Sequence, residues 1–194
     1  MLTTEETAAL VKQIQNGNEA AFDRLFAEYQ LKAVRTAALI SGDVSLAEDI
    51  VQETFTDCFL NIMALKKPES FKSWFFRSLT RKAWKAIDKK SRLVPVEELY
   101  EKADSMLPPV FDSYPSEQRS SYAKLYKAIG RLGKKQRTTI VLYYFNGFSI
   151  KEIANATSSL EATVKSRLFS AKKQLKKSLS ENIEKMEEPV YGKV

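Results

Sequence analysis

Apolar residues recur at spacings of three and four along almost the whole chain, and stretches that alternate in the manner of a strand are hard to find. That period turns one side of each segment toward a core, so the pattern predicts an all-α fold. A first long helix begins at Asn18, whose side chain can cap the amides that follow, and carries Ala21, Phe22, Leu25, Phe26 and Tyr29 on one side. Gly42 is its expected stop. Ser45 to Glu48 then has the spacing of a capping box, with Val51, Phe55, Cys58, Phe59 and Ile62 as the buried stripe behind it. A third helix runs from about Lys72 to Lys90. Its wheel gathers Phe76, Leu79, Thr80, Ala83 and Ile87 in a core sector, leaving Arg77, Arg81 and Lys85 opposite, with Trp74 among them and Trp84 at the edge.

The period is lost from Arg92 to about Ser121, where four prolines and clustered acids replace it, and it returns near Tyr122. Some thirty residues of this kind inside one compact unit would be unusual. The expected organisation is therefore two small helical domains, residues 1–92 and 122–180, joined by a flexible acidic linker at 93–121 and followed by a mobile tail at 181–194. In the second domain Ser149 to Glu152 forms another capping box and starts a short helix ending near Ala156. After Thr157-Ser158-Ser159 a longer helix sets Leu160, Val164, Leu168, Ala171 and Leu175 on one face, and Lys165, Ser166, Phe169 and Lys173 on the other. Short helix, tight turn and longer basic helix have the pattern of a helix-turn-helix, whose second helix enters the major groove; the alternative is an ordinary helical hairpin with a solvated basic face.

Charge sharpens this picture. The 194-residue chain has a net charge of +7, but its distribution is blocked: counting Lys and Arg against Asp and Glu gives −6 over residues 1–65, +8 over 66–92, −4 over 93–123, +11 over 124–177 and −2 over 178–194. Two basic blocks between acidic segments point to two contact regions for a polyanion. The first block mixes its cations with rings, as SFKSWFFRSLTRKAWKAIDKK shows. Unpaired bases stack on aromatic faces while Lys and Arg follow the backbone, so this segment suits a separated strand.

Other chemistry is absent. There is no His, and Cys58 is the one cysteine, sitting in an apolar helical pattern as a buried thiol. His-dependent acid–base catalysis, His-assisted nucleophiles and nearly all zinc sites are thereby excluded. Asp49 and Glu53 lie one turn apart on an exposed helix face with no acid-rich partner segment, which argues against carboxylate catalysis. No enzyme activity, cofactor or metal is expected. No apolar run reaches the length of a membrane span and the N-terminus lacks the order of a signal peptide, so a cytoplasmic location is expected.

At this point the residues resemble a known family, the extracytoplasmic-function (ECF) group of bacterial RNA polymerase sigma factors. The strings that carry the resemblance are Gly17 to Phe26 (GNEAAFDRLF), Ala47 to Phe55 (AEDIVQETF), Ser70 to Arg77 (SFKSWFFR) with Ala86-Ile87-Asp88, then Gln136-Arg137, Phe148-Ser149 with Glu152-Ile153-Ala154, and Thr163 to Leu168 (TVKSRL). They cover about residues 15–92 and 124–178 in the family's order. Some positions depart from its pattern: Ser158, Ser159 and Leu160 replace the usual turn, Ala162 a common Gly, Ser170 a common Arg, and Lys82 a common Asn.

The resemblance implies a sigma subunit that recruits core RNA polymerase to promoters and helps open the DNA. It places Phe71, Lys72, Trp74, Arg77, Arg81, Trp84 and Lys85 on the surface for the −10 element and the melted strand, with a flipped base held near the loop from Lys66 to Ser73. Phe75 and Phe76 are expected in the core, and Trp74 could instead cover an apolar edge. Asp49, Gln52, Glu53 and Thr56 would meet the clamp coiled coil of the polymerase, although as residues alone they read rather as solvated helix charges that need no partner. Lys165, Ser166, Arg167, Phe169 and Lys173 would read the −35 duplex, with Arg137 and Lys151 on phosphates and the polymerase flap alongside; Arg167 could instead brace its helix. Family habit adds an anti-sigma factor as a partner. The competing class is a free-standing helix-turn-helix regulator of duplex operators, which would not need the acidic and aromatic N-terminal half.

Overall fold

A computed structural model describes residues 2–90 and 116–187, with side chains placed over 2–89 and 120–180. Every regular element among these residues is helical. The chain begins with α1, Thr4–Gln15, which the pattern above did not include although its signal is present: Thr3 and Glu6 form a capping box, and Leu10, Val11 and Ile14 are buried at helical spacing. α2, Glu19–Ser41, starts at Asn18, whose side chain accepts from the Ala21 amide, and ends at Gly42 in the left-handed conformation, both as expected. α3, Val44–Asn61, is capped by Asp43, which accepts from the Leu46 amide at 3.1 Å, so Ser45 lies within the helix and the expected Ser45–Glu48 box is corrected. Because Gly42 has already reversed the chain, Asp43 is the first residue able to cap the next helix.

Two short 3₁₀ turns, Ile62–Ala64 and Pro68–Ser70, lead into α4, Phe71–Lys90. The four helices enclose an aromatic core in which Phe75 stands 4.8 Å from Phe55, 5.6 Å from Tyr29 and 5.5 Å from Phe76, ring centre to ring centre. Phe75 and Phe76 are wholly buried, as anticipated, and Cys58 is sealed on the inward face of α3.

The C-terminal unit comprises α5, Ser116–Gly130, α6, Lys134–Ile140, which is prolonged by one π turn over Val141–Phe145, α7, Ile150–Thr157, and α8, Glu161–Glu187. Residues 93–115 of the expected linker and 188–194 of the expected tail lie outside the described residues; α5 begins before the anticipated start at Tyr122. Ser149 caps α7 through the predicted box: its Oγ accepts from the Glu152 amide, and the Glu152 carboxylate accepts from the Ser149 amide at 2.8 Å. α7 and α8 are joined through Ser158, the one described non-glycine residue with positive φ, at 49°. Ser is an uncommon occupant of this conformation, which glycine adopts at little cost.

The two units touch. α7 packs against α4, where the Phe76 and Phe148 rings meet edge to face at 5.3 Å, and the Trp84 indole donates to Thr138 Oγ1 at 2.9 Å. Asn146 exchanges hydrogen bonds with Thr36 of α2, and Lys134 pairs with Asp88.

Candidate nucleic-acid interface

The core stripe of α4 recurs every four residues: Phe71, Phe75, Leu79, Ala83 and Ile87 are all buried. Their burial turns Arg77, Arg81 and Lys85 outward, and all three are exposed. The expectation that Phe71 offers a ring to DNA is corrected, since Phe71 is fully buried and packs on Tyr29 and Phe75 at 5.2 and 5.8 Å. Phe71 is the first helical residue, four positions before Phe75, so it joins the stripe. Trp74 is half-buried, tilted against Phe71 at 5.9 Å, which leaves part of its ring accessible while it covers an apolar edge.

A groove of about 710 Å³ lies between the end of α3 and the outer side of α4. Asp57, Asn61, Trp74, Arg77, Arg81 and Lys82 give it one ring, several cations and two short polar groups. The loop from Lys66 to Ser73 adjoins the groove without lining it, because the 3₁₀ turn within that loop packs on α1. A smaller groove of about 490 Å³ follows further along the same helix pair, between Asp49 and Glu53 on α3 and Lys82, Lys85 and Lys89 on α4. Asp57, Asn61 and Lys82 were not singled out as site residues by the sequence pattern. Asp57 was nevertheless findable, one turn beyond Glu53 on the face that meets α4.

Asp49, Gln52, Glu53 and Thr56 are exposed on one side of α3, as a docking surface requires. Next to them an apolar groove of about 590 Å³ runs between α2 and α3 past Phe22, Phe26, Val51 and Phe55. Phe59, expected in the core, forms its edge instead: it is 55% exposed and rests on Phe22 at 5.1 Å.

Two residues of the melting set are engaged by the other unit. Lys72 lies 3.7 Å from Glu152 and 4.2 Å above the Phe148 ring, and Trp84 is held by Thr138. Burial pushes the Glu152 carboxyl upward, but hydrogen bonds from Ser149 and the nearby Lys72 prevail and hold it below the usual glutamate range.

In the second unit α8 displays Lys165, Ser166, Phe169 and Lys173 to solvent, Phe169 at 73% exposure, while Val164, Leu168 and Ala171 face inward. Leu160, expected on that buried face, is 76% exposed because α8 starts only at Glu161 and Leu160 precedes it. Arg167 takes the bracing alternative, its guanidinium donating to Ser159 Oγ at 2.9 Å and so tying α8 to the turn. Lys151 is exposed near the start of α7. Arg137, expected on a phosphate, is 2% exposed and donates to the Gly130 carbonyl at 2.8 Å, so it satisfies the end of α5 from inside. That assignment is corrected: a guanidinium at a helix C-terminus is well placed for the carbonyls there and cannot reach a backbone outside.

The arrangement offers an acidic face, a groove combining a ring with cations, and a separate basic helix. Residues 25–93 match the family model "Sigma-70 region 2" and residues 122–175 match "Sigma-70, region 4". The chain is 30% identical over 180 residues to the ECF RNA polymerase sigma factor SigW of Bacillus subtilis, spanning 87% of this chain and 94% of that one. It is 26% identical to the RNA polymerase sigma-H factor of Pseudomonas aeruginosa, over 92% of this chain and 96% of the relative. Among solved structures, the sigma factor RpoE in complex with the anti-sigma factor NepR from Bartonella quintana superposes with a TM-score of 0.63 at 25% identity, covering 81% of this chain and 97% of that one. The fold is also that of CnrH in its complex with the cytosolic domain of CnrY, with a TM-score of 0.67 over 90% of this chain and 97% of that chain at 22% identity.

Proposed function

Since this chain belongs to the sigma-70 family of RNA polymerase sigma factors, in its ECF group, we propose a division of labour between its two units. Residues 1–92 hold core polymerase and the opened −10 strand, and residues 122–180 read the −35 duplex. The observation that carries this reading is the juxtaposition of opposite chemistries on one helix pair: acids outward on α3, a ring-and-cation groove against α4. A duplex reader working without polymerase has no use for either.

On this reading Asp49, Gln52, Glu53 and Thr56 meet basic groups of the polymerase clamp, since an acidic face would repel phosphate. Arg77 and Arg81 follow the separated strand's backbone and Trp74 stacks on one of its bases, worth about 1–3 kcal/mol per base. The groove beside Asp57 and Asn61 receives a base turned out of the stack. Lys72, Trp84 and Lys85 join this surface once the second unit releases the first two. Lys165, Ser166, Phe169 and Lys173 enter the −35 major groove, Lys151 holds a phosphate, and the flap of the polymerase adjoins this unit. An anti-sigma factor is proposed as a further partner by likeness to the solved RpoE structure, which includes one.

The chain is a transcription initiation factor; no catalytic group is assigned to it. No helix of the described residues is long and apolar enough to cross a membrane, and action on DNA inside the cell is the corresponding proposal for location. The test is run-off transcription with purified core polymerase, this chain and a genomic template library. Promoter-dependent products that require both components are expected, and their absence across the library would reject the reading. Glu53→Lys separates docking from folding: core affinity should fall about tenfold or more, because like charges brought together cost several kcal/mol, with an unchanged melting curve.

A further inference from the structure

Lys82 of α4 is held by two acids of α3. Lys82 Nζ lies 2.8 Å from Asp57 Oδ2 and 3.3 Å from Glu53 Oε2, and its side chain is 21% exposed against 68% for Glu53 and 49% for Asp57. It also stands on the divide between the two grooves. Arg77, Arg81 and Asp57 line the larger one with it, and Asp49, Glu53 and Lys85 line the smaller. One ammonium therefore borders two surfaces to which the proposed function gives different partners, core polymerase on the Glu53 side and the separated strand on the Arg81 side.

The pairing is built to be exchanged. Ion pairs between groups this exposed are worth only about 0–1 kcal/mol. A lysine carries three donors on a flexible stem, so it can keep one carboxylate while giving up another. A basic group of the polymerase that takes Glu53 removes one of the two anions facing Lys82. What lies across the larger groove is then Arg77 and Arg81, and the ligand that suits three cations around one opening is a phosphate. In the unbound chain partial burial works against the charge on Lys82, but the hydrogen bonds it donates to Asp57 and Glu53 overcome that and raise its pKa.

We propose that Lys82 is a strand-positioning residue, paired with Glu53 and Asp57 in the unbound chain and turned to a phosphate of the separated strand when core polymerase takes Glu53. This rests on the docking and strand assignments above. Docking and strand capture then share one side chain, so each strengthens the other by the same factor.

The test uses the full chain, alone and as holoenzyme, with fluorescein-labelled oligo(dT) as the single-stranded probe, titrated by anisotropy over a range of salt. Lys82→Met should lower holoenzyme affinity about threefold to tenfold and reduce the slope of log K against log salt by about 0.7, one phosphate on a single strand. In the unbound chain the same substitution should leave the slope unchanged. Glu53→Gln with Asp57→Asn should steepen the unbound chain's slope by the same amount, since the ammonium is then available without polymerase. An unchanged slope in the holoenzyme, or an equal loss with and without core, overturns the proposal. Core affinity is titrated in parallel: a loss on Lys82→Met makes Lys82 a support of the fold and also overturns it. Unchanged core affinity on Glu53→Lys rejects the docking assignment by itself, independently of the oligo(dT) result.

Discussion

The two basic regions carry nearly the same kind of charge and are built in different ways. α4 packs its cations around an aromatic core, with Lys72 and Lys82 already bonded to acids and Trp84 to a threonine. α8 presents Lys165, Lys173 and one ring to solvent from a helix whose inward side is small and aliphatic. A separated strand demands rings, pockets and reversible pairs, whereas a duplex groove demands a slim, stiff, charged rod. Net charge alone describes the two regions alike; only the neighbours of each cation tell them apart.

The comparison can be broken most forcefully at the core of the first region. Phe75→Ala removes a fully buried ring touching Phe55, Tyr29 and Phe71, and should cost about 3–5 kcal/mol in urea unfolding. A loss below 1 kcal/mol would mean that the stripe, not this ring, organises the unit. Arg137→Met set beside Lys165→Met comes next. The first should destabilise the chain by about 1–3 kcal/mol by leaving the end of α5 unsatisfied, with the salt dependence of duplex binding unchanged. The second should leave unfolding unaltered and lower that salt slope by about one. Reversed results would restore Arg137 to the phosphate and take Lys165 away from it.

Trp74→Ala should weaken strand capture by about 1–3 kcal/mol and duplex recruitment far less. Permanganate footprinting of the bubble against duplex binding checks this, and equal losses would reject the stacking role. The smallest effect concerns Ser149 and Glu152. Ser149→Ala should cost about 0.5–2 kcal/mol through the lost cap. The Glu152 carboxyl is held low in the folded chain, so its contribution to stability is present above the ordinary glutamate range and is lost as pH falls below that range through the lowered folded-state value. Unfolding midpoints of Glu152→Gln should therefore fall less on acidification than those of the parent, and parallel curves would dismiss the assignment.

Much of this was legible from periodicity. The all-α fold, Asn18 and Gly42 at the ends of α2, the Ser149 box and the inward placement of Phe75 and Phe76 follow from local rules, because caps and stripes act within one or two turns. Phe71 went astray because a helix start was set one residue late, which moved the first member of a stripe with a four-residue period into a loop. Leu160 failed for the converse reason, since a wheel drawn through it assumes a helix that has not begun. Arg137 was beyond such rules, because its partner is a carbonyl at the end of another helix. The pairing of Lys82 with Asp57 and Glu53 likewise depends on how α3 and α4 face each other, and the contacts of Lys72 and Trp84 depend on how the second unit sits against the first. Tertiary juxtaposition of this kind leaves no period in the chain.

Cys58 has one consequence for the whole molecule. Burial on the inward face of α3 pushes its thiol up to about 12, and the chain has no histidine. The two side chains that ordinarily exchange protons nearest neutrality are thus sealed or missing. Small swings of cellular acidity therefore find no such proton switch in the sigma factor.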